Sequence, residues 1–303
     1  MIKKSQFSQK KTKITKILTG KKDTILVLGS SGQLGNEIKN ICHEYPHYNF
    51  IFKGRTCLDI SDYNLLNEFL NKNEINTIIN CAAYTDVDGA ENDYEMANLI
   101  NNISVDFISQ CCVKHRIKLI HLSTDFVFDG NSNKPYIESD LTNPINNYGK
   151  TKLLGEEKIK KNMTANAVII RTSWLYSKFN SNFVKKILDI SKNQNAIEVN
   201  SKETGSPTWA RDLAKALIDI IKKVSFEKVE TYHYANSGYC TRYDFAKNIL
   251  KILGLKTVIK KKENTFNNIR PVYSVLNCQK IVRDLDIKLI NWNKSLKQAI
   301  KEF

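Results

Sequence analysis

Residues 25–37 read ILVLGSSGQLGNE. The apolar run at its start has the composition of a short buried strand, and GNEIKNICHEY, from Gly35 onward, carries apolar residues at helical spacing. Between them stand Gly29, Gly32 and Gly35, in the spacing G-x-x-G-x-x-G. In a strand–turn–helix setting such glycines suit a dinucleotide: Gly29 permits the tight turn, Gly32 lets the backbone approach a pyrophosphate, and Gly35 lets the helix pack on the strand. The helix start adds free N–H groups and the positive end of its dipole. In isolation, a plain tight turn would read the same way. The elements on either side decide for a phosphate loop.

Outward from this turn, strand-like and helix-like segments alternate. NFIF (49–52), INTIINCAA (75–83), KLIHLST (118–124) and NAVIIRTSW (166–174) read as strands. LLNEFLNKN (65–73), NLINNISVDFISQCCVKH (98–115) and YGKTKLLGEEKIKK (148–161) read as helices, and a loop rich in Asn, Asp, Gly and Pro precedes the last of these. Such alternation predicts a doubly wound, mostly parallel α/β sheet of the Rossmann type with right-handed crossovers. Runs such as TIIN and AVII lack in–out alternation, as strands covered on both faces should. We expect a cofactor-binding domain over residues 23–173. Residues 174–303 should form a smaller, mainly substrate-binding α/β domain, some segments of which return to the sheet. Residues 1–22 read as a basic, disordered extension.

The chain has 303 residues, 42% of them hydrophobic, enough for a substantial core. No apolar run approaches a membrane span, and no secretory leader is apparent. Seven cysteines without a C-x-x-C pair point to a reduced, cytoplasmic protein, with Cys111 and Cys112 as small core residues. Residues 1–23 hold eight lysines and one aspartate, so +7 of the +15 net charge lies there and +8 remains for the body. No segment interleaves basic and aromatic residues as a nucleic-acid platform would. A moderately positive body favours an anionic small substrate instead. His121 and His233 sit in apolar, strand-like surroundings and read as core histidines, and no spacing suggests a metal site.

The second strand ends in FKGRT (52–56), with Gly54 and Arg55 where an acid would hold the ribose of NAD. A guanidinium in place of a carboxylate suits a 2′-phosphate and favours NADPH over NADH. Arg55 as a plain surface residue is the competing reading. Asp59, in LDIS, is placed to hydrogen-bond the adenine.

A reductase of this architecture needs a proton donor for the carbonyl oxygen. Tyr148 and Lys152 form Y-x-x-x-K, one turn apart on one helix face. An ammonium beside the phenol is expected to lower its pKa by about 1–3 units from its usual value near 10. The pattern recurs at Tyr243 and Lys247, so the motif alone is cheap in a lysine-rich chain. Position singles out the first: its helix follows the strand whose end supplies the hydroxyls of Ser123 and Thr124.

Eight segments together carry a resemblance: LGSSGQLG, NCAAYTDVDGAE, HLSTDFVFDG, NPINNYGKTKLLGE, RTSWLY, GSPT, YHYANSGYCTRYDFA and RPVYSVL. In order from residue 25 to about 295, the chain resembles the dTDP-4-dehydrorhamnose reductases, members of the extended short-chain dehydrogenase/reductases. The resemblance implies that Gly32, Gln33 and Leu34 line the cofactor pyrophosphate, and that Asp59 and Ile60 flank the adenine. It places Ala82, Ala83 and Tyr84 beneath the nicotinamide-side ribose and Leu122 beside the cofactor. Thr124 would hydrogen-bond the sugar's 4-keto oxygen, Tyr148 would protonate it, and Lys152 would bind the ribose and stabilise the phenolate. Asp125 and Trp174 would contact the sugar, although Trp174 could equally be plain core and Thr124 a loop cap. The implied product is dTDP-L-rhamnose, a donor for cell-envelope polysaccharide. Some family members form dimers with Mg²⁺ at the contact; the acids concerned are not recognisable here.

Three positions depart from the family pattern. Phe126 stands where a tyrosine is usual, Lys202 and Glu203 replace an Asp-Gln pair, and Arg242 replaces a common aromatic. None is expected to touch Thr124, Tyr148 or Lys152, so the departures bear on the sugar or a subunit contact. Two further readings follow: a related nucleotide-sugar 4-ketoreductase, or a non-catalytic cofactor-binding subunit resembling the methionine adenosyltransferase beta subunit. Retention of both Tyr148 and Lys152 weighs against the second.

Overall fold

The computed structural model describes residues 22–262 and 269–303; the basic extension expected over residues 1–22 lies outside this range but for its last residue. The first half of the chain alternates as its pattern predicts. The order is β1 (Asp23–Leu28), α1 (Gln33–Ile41), β2 (Tyr48–Lys53), α2 (Tyr63–Lys72), β3 (Thr77–Asn80), α3 (Val87–Asn92), α4 (Tyr94–Asn98), α5 (Ser104–His115), β4 (Lys118–Thr124), α6 (Asn147–Asn162) and β5 (Ala167–Thr172). After β5 come short elements: β6 (Leu175–Tyr176), α7 (Phe183–Asn193), β7 (Ala196–Asn200), β8 (Thr204–Gly205) and β9 (Thr208–Trp209). The chain continues through α8 (Ala210–Lys223), β10 (Glu230–His233), β11 (Cys240–Thr241), α9 (Arg242–Leu253), β12 (Val258–Lys262), α10 (Gln279–Leu285) and α11 (Trp292–Ala299).

Six strands form one sheet in the order β10-β5-β4-β3-β1-β2, all parallel. The expected doubly wound sheet is therefore present, and the chain reverses its direction of growth between β1 and β3. Open parallel sheets bind ligands at such a reversal, beyond the carboxyl ends of the strands. Both faces are covered. Ile25 and Val27 of β1 join α1 and α8 on one side, while Leu26 and Leu28 join α2 and α5 on the other, all four fully buried. Hence β1 reads as an unbroken apolar run rather than an alternating one. A third cluster, built on Tyr176, Phe245, Trp209 and Leu296, ties α7, α9 and α11 together. Cys111 and Cys112 are buried, as expected of small core residues.

One helix differs from its pattern. The expected helix over 98–115 contains a π turn, Leu99–Ile103, before α5. There the Asn101 side chain accepts from the Tyr84 N–H at 2.9 Å, donates to the Tyr84 carbonyl at 3.0 Å and donates to Thr151 Oγ1 at 3.2 Å. The wider turn lets one amide pin the loop after β3 to α6, a common use of π turns near functional sites.

Candidate active site

The loop after β1 is tight against its neighbours. Gly29 has φ +69°, and a Cβ there would stand 2.5 Å from the Ala82 nitrogen; a Cβ on Gly35 would stand 2.5 Å from Ser30 Cα. Gly29 therefore makes the turn and Gly35 lets α1 seat behind it, so Gly35, expected among the cofactor-contacting residues, stands outside the lining of the groove described next. Gly32 is the N-cap of α1 and offers no side-chain cap, whereas Asp62, Asn146, Asn182, Thr241 and Asn291 cap their helices. The first N–H groups of α1 are left for a ligand, and the dipole favours an anion.

A groove runs from this loop across the sheet. A cavity of about 310 Å³ is lined by Gly29, Gly32, Arg55, Asp59, Ile60, Ala82, Ala83 and Tyr84. It shares Gly32, Cys81, Ala83 and Asn180 with a second cavity of about 470 Å³, whose walls include Gln33, Leu34, Leu122, Thr124, Asp125, Tyr148, Lys152 and Trp174. Apart from Gly35, every site residue expected from sequence lines one of the two. Asn180 was not foreseen; it reaches over from the second half of the chain and donates to the Ser31 carbonyl at 2.9 Å. Arg55 is exposed at the rim, 3.9 Å from Asp59. Hydrogen bonds from the hydroxyl and N–H of Ser61, aided by Arg55, hold the Asp59 carboxyl below its usual range.

Gln33 Oε1, Asp125 Oδ2 and Thr172 Oγ1 are buried without a hydrogen-bond partner, and all three residues line the second cavity. Orphaned polar atoms are rare inside proteins, so three around one cavity mark a place built for a polar ligand. With the open start of α1, they fit a dinucleotide.

At that end, the Thr124 hydroxyl lies within hydrogen-bond reach of the Tyr148 phenol and of Asp125 Oδ1, at 3.1 Å from the latter. Burial pushes the phenol up to about 12 despite the Thr124 hydrogen bond. The expected lowering by Lys152 is absent, because the ammonium is turned elsewhere: Nζ donates to the Leu122 carbonyl at 2.6 Å and lies 3.4 Å from His121 Nε2. Burial, opposed by Glu156, brings Lys152 down to about 8. Asp125 is raised to about 6, again by burial, against Ser274, Thr124 and Arg242. Ser123, at the same strand end, donates to Glu156 Oε1 at 2.5 Å.

Of the departures, Phe126, Glu203 and Arg242 reach this site or its outer extension, whereas Lys202 is exposed outside it. Phe126 packs edge-on to Tyr148, ring centroids 5.8 Å apart, and its N–H donates to Thr124 Oγ1 at 3.2 Å. It therefore touches two of the three proposed catalytic residues, contrary to expectation, because the turn after β4 folds back under α6. Arg242 and Glu203 form an ion pair at 3.6 Å, and the Arg242 guanidinium lies 3.5 Å above the Trp174 ring. Trp174, at φ +45°, is thus a half-buried wall of the cavity whose ring also packs on the third core cluster through Phe245. Arg242, Arg270 and Phe183 continue the wall into an outer cavity of about 570 Å³. His121 and His233 are fully buried, as read from sequence, but His121 stands beside Lys152 rather than in inert core. Among the described residues, no group of His, Cys, Asp and Glu is placed to hold a metal, and no helix is long and apolar enough to cross a membrane.

Comparison with known proteins gives concordant results. A family model described as the RmlD substrate binding domain matches residues 23–303. The chain is 34% identical over 283 residues to the spore coat polysaccharide biosynthesis protein SpsK of Bacillus subtilis, covering 92% of this chain and 97% of that protein. It is 31% identical over 282 residues to dTDP-4-keto-6-deoxy-D-glucose reductase of Streptomyces niveus, covering 91% and 96%. A crystal structure of dTDP-4-dehydrorhamnose reductase from Bacillus anthracis in complex with NADP superposes with a TM-score of 0.87 at 30% identity, covering 93% of this chain and 99% of that one.

Proposed function

Because the chain belongs to the RmlD family of dTDP-4-dehydrorhamnose reductases, we propose that it reduces the 4-keto group of a nucleotide-linked 6-deoxy sugar with NADPH, converting dTDP-4-dehydro-L-rhamnose to dTDP-L-rhamnose. The carrying observation is that Thr124, Tyr148 and Lys152 line one cavity at the end of the groove that starts at the glycine loop. A ketone needs a hydride and a proton; the nicotinamide, when bound, supplies the hydride. Gly32, Gln33 and Leu34 would hold the pyrophosphate, Arg55 the 2′-phosphate, Asp59 and Ile60 the adenine, and Ala82, Ala83, Tyr84 and Leu122 the nicotinamide side. Thr124 donates a hydrogen bond to the carbonyl oxygen and Tyr148 gives it a proton; the raised pKa keeps that proton on the phenol across the working range. Lys152 contributes a positive charge behind the phenol, while Asp125 and Trp174 orient the sugar. Cofactor bound in the cytoplasm and a sugar nucleotide in the outer cavity complete the reading; a homodimer is compatible with it and is not required by it.

The test is NADPH consumption with a panel of nucleotide-linked 4-keto-6-deoxy sugars, with product analysis. Consumption with the dTDP-linked 4-keto sugar is expected, and inertness across the panel despite cofactor binding would favour the regulatory-subunit reading. A second sugar stays in the panel for a specific reason: the Arg242–Glu203 pair and Phe126 alter the wall beside Trp174 and Tyr148.

The cofactor preference has its own check. NADPH should shift the thermal midpoint more than NADH at equal concentration. Arg55→Ala should erase most of the difference, since loss of one charge-assisted phosphate contact costs about 1.5–3 kcal/mol. A larger shift with NADH in the unsubstituted protein would overturn the assignment.

A further inference from the structure

Behind Lys152 lies a short chain of polar groups whose donors and acceptors can be fixed from geometry. The Ala82 N–H donates to Asn80 Oδ1 at 3.1 Å. A backbone N–H cannot accept, so the Asn80 amide has one orientation: oxygen toward Ala82, nitrogen toward His121. Asn80 Nδ2 lies 3.1 Å from His121 Nδ1, and that ring nitrogen must therefore accept. A neutral imidazole that accepts at Nδ1 carries its proton on Nε2. His121 is fully buried and its pKa is lowered well below the usual value, by burial and then by Lys152, so the ring is neutral. Its Nε2–H thus faces Lys152 Nζ at 3.4 Å. An N–H directed at an amine is favourable when the amine is neutral and unfavourable when it is an ammonium.

We propose that Asn80 and His121 are a positioning pair for the reduction: Asn80 fixes the tautomer of His121, and His121 turns a donor toward Lys152 that biases this lysine against its charged form. The pair acts through Lys152, and it rests on the reading that Lys152 supports Tyr148. The other charged or titratable groups around the lysine are Glu156 and Tyr148 on its own helix, Cys81 after β3, and Arg171 on β5, which is spent on Glu156. Glu156 and the Leu122 carbonyl, which accepts from Nζ at 2.6 Å, favour the ammonium, whereas burial keeps the Cys81 thiol neutral. Burial opposes the ammonium and brings the lysine down to about 8, and the His121 donor at 3.4 Å acts in the same direction as burial. Loss of the lysine charge should then set the alkaline limb of kcat/KM near that pH, while the phenol stays protonated beyond it.

The experiment uses the full chain without cofactor, so it does not depend on turnover. Long-range ¹H–¹⁵N correlation of the imidazole rings, with His121→Gln for assignment, should show His121 as a neutral Nε2–H tautomer. The ¹³Cε signal of Lys152, assigned with Lys152→Met, should titrate near pH 8, apart from the other lysines. Asn80→Asp keeps an acceptor for Ala82 but offers a carboxylate to Nδ1, so the ring proton should move to Nδ1 and the Lys152 midpoint should rise by about one unit or more. The alkaline limb of kcat/KM should move with it. An Nδ1–H tautomer or an imidazolium in the unsubstituted protein overturns the proposal, as does a Lys152 midpoint that rises in Asn80→Asp with no change of tautomer. An inert enzyme showing the expected tautomer and titration would overturn the reductase reading, and with it the role in reduction, while the control of Lys152 by Asn80 and His121 would stand.

Discussion

Tyr148→Phe is expected to lower kcat by roughly 10²- to 10⁴-fold, the usual contribution of a positioned proton donor. The substitution removes one oxygen from a ring packed edge-on against Phe126, so fold and groove should survive. NADPH should therefore still shift the thermal midpoint of the variant by close to the parental amount. The pairing of lost turnover with kept binding is what assigns the phenol to proton delivery. A variant that turns over within threefold of the parent would remove Tyr148 from the chemistry and pass the proton to another group. Thr124→Val is the natural companion: it leaves the phenol in place but takes away the hydroxyl within its reach.

Glu156→Ala should produce the largest loss of stability, about 3–5 kcal/mol, because it strands a buried guanidinium. Glu156 and Arg171 are 0% and 2% exposed, and Arg171 grips the carboxylate through Nε at 2.9 Å and Nη2 at 2.7 Å. The effect should reach activity even where the variant folds, since Ser123 hangs from the same carboxylate and is the neighbour of Thr124. The pH dependence has a definite sign. Burial alone would raise this carboxyl, but Arg171, helped by Ser123 and Lys160, holds it below its ordinary 4.5. A carboxyl depressed in the folded state stabilises fully above its unfolded value and loses that contribution as pH falls through the folded one. Acid unfolding of the parent should therefore steepen below about pH 4.5, and Glu156→Gln should flatten that limb in urea titrations monitored by circular dichroism. An unaltered limb would show that the pair contributes nothing to acid sensitivity.

Local pattern carried much of this site because its pieces are contiguous. The glycine turn, the strand ending in Ser123–Thr124 and the helix bearing Tyr148 and Lys152 each lie within one short segment, where spacing and apolar periodicity speak directly. What local pattern could not carry is contact between distant residues. Asn80 and His121 stand on adjacent strands and meet only through the β3–β4 register, in which they are direct partners. Asn101 pins Tyr84 through a π turn that apolar spacing reads as ordinary helix. Arg242 and Glu203 were visible as departures from a family pattern, but that the two departures pair with each other on one wall of the cavity needs coordinates. The direction of Lys152 was hidden for a related reason: sequence gives the turn it shares with Tyr148, and the Leu122 carbonyl on β4 decides where the ammonium points.

One margin of the sheet has a consequence for how the chain is made. β10 comes from residues 230–233, whereas the five strands it completes are all translated by residue 172. α8, which covers one sheet face, is likewise late. A nascent chain that has just passed β5 thus leaves the ribosome with a bare strand flank and an apolar face that α1 covers only in part. At about 5–20 residues per second, that exposure lasts for seconds. Such a flank invites strand-to-strand aggregation, so slowed or truncated translation between β5 and β10 should yield insoluble product rather than an autonomous cofactor-binding half.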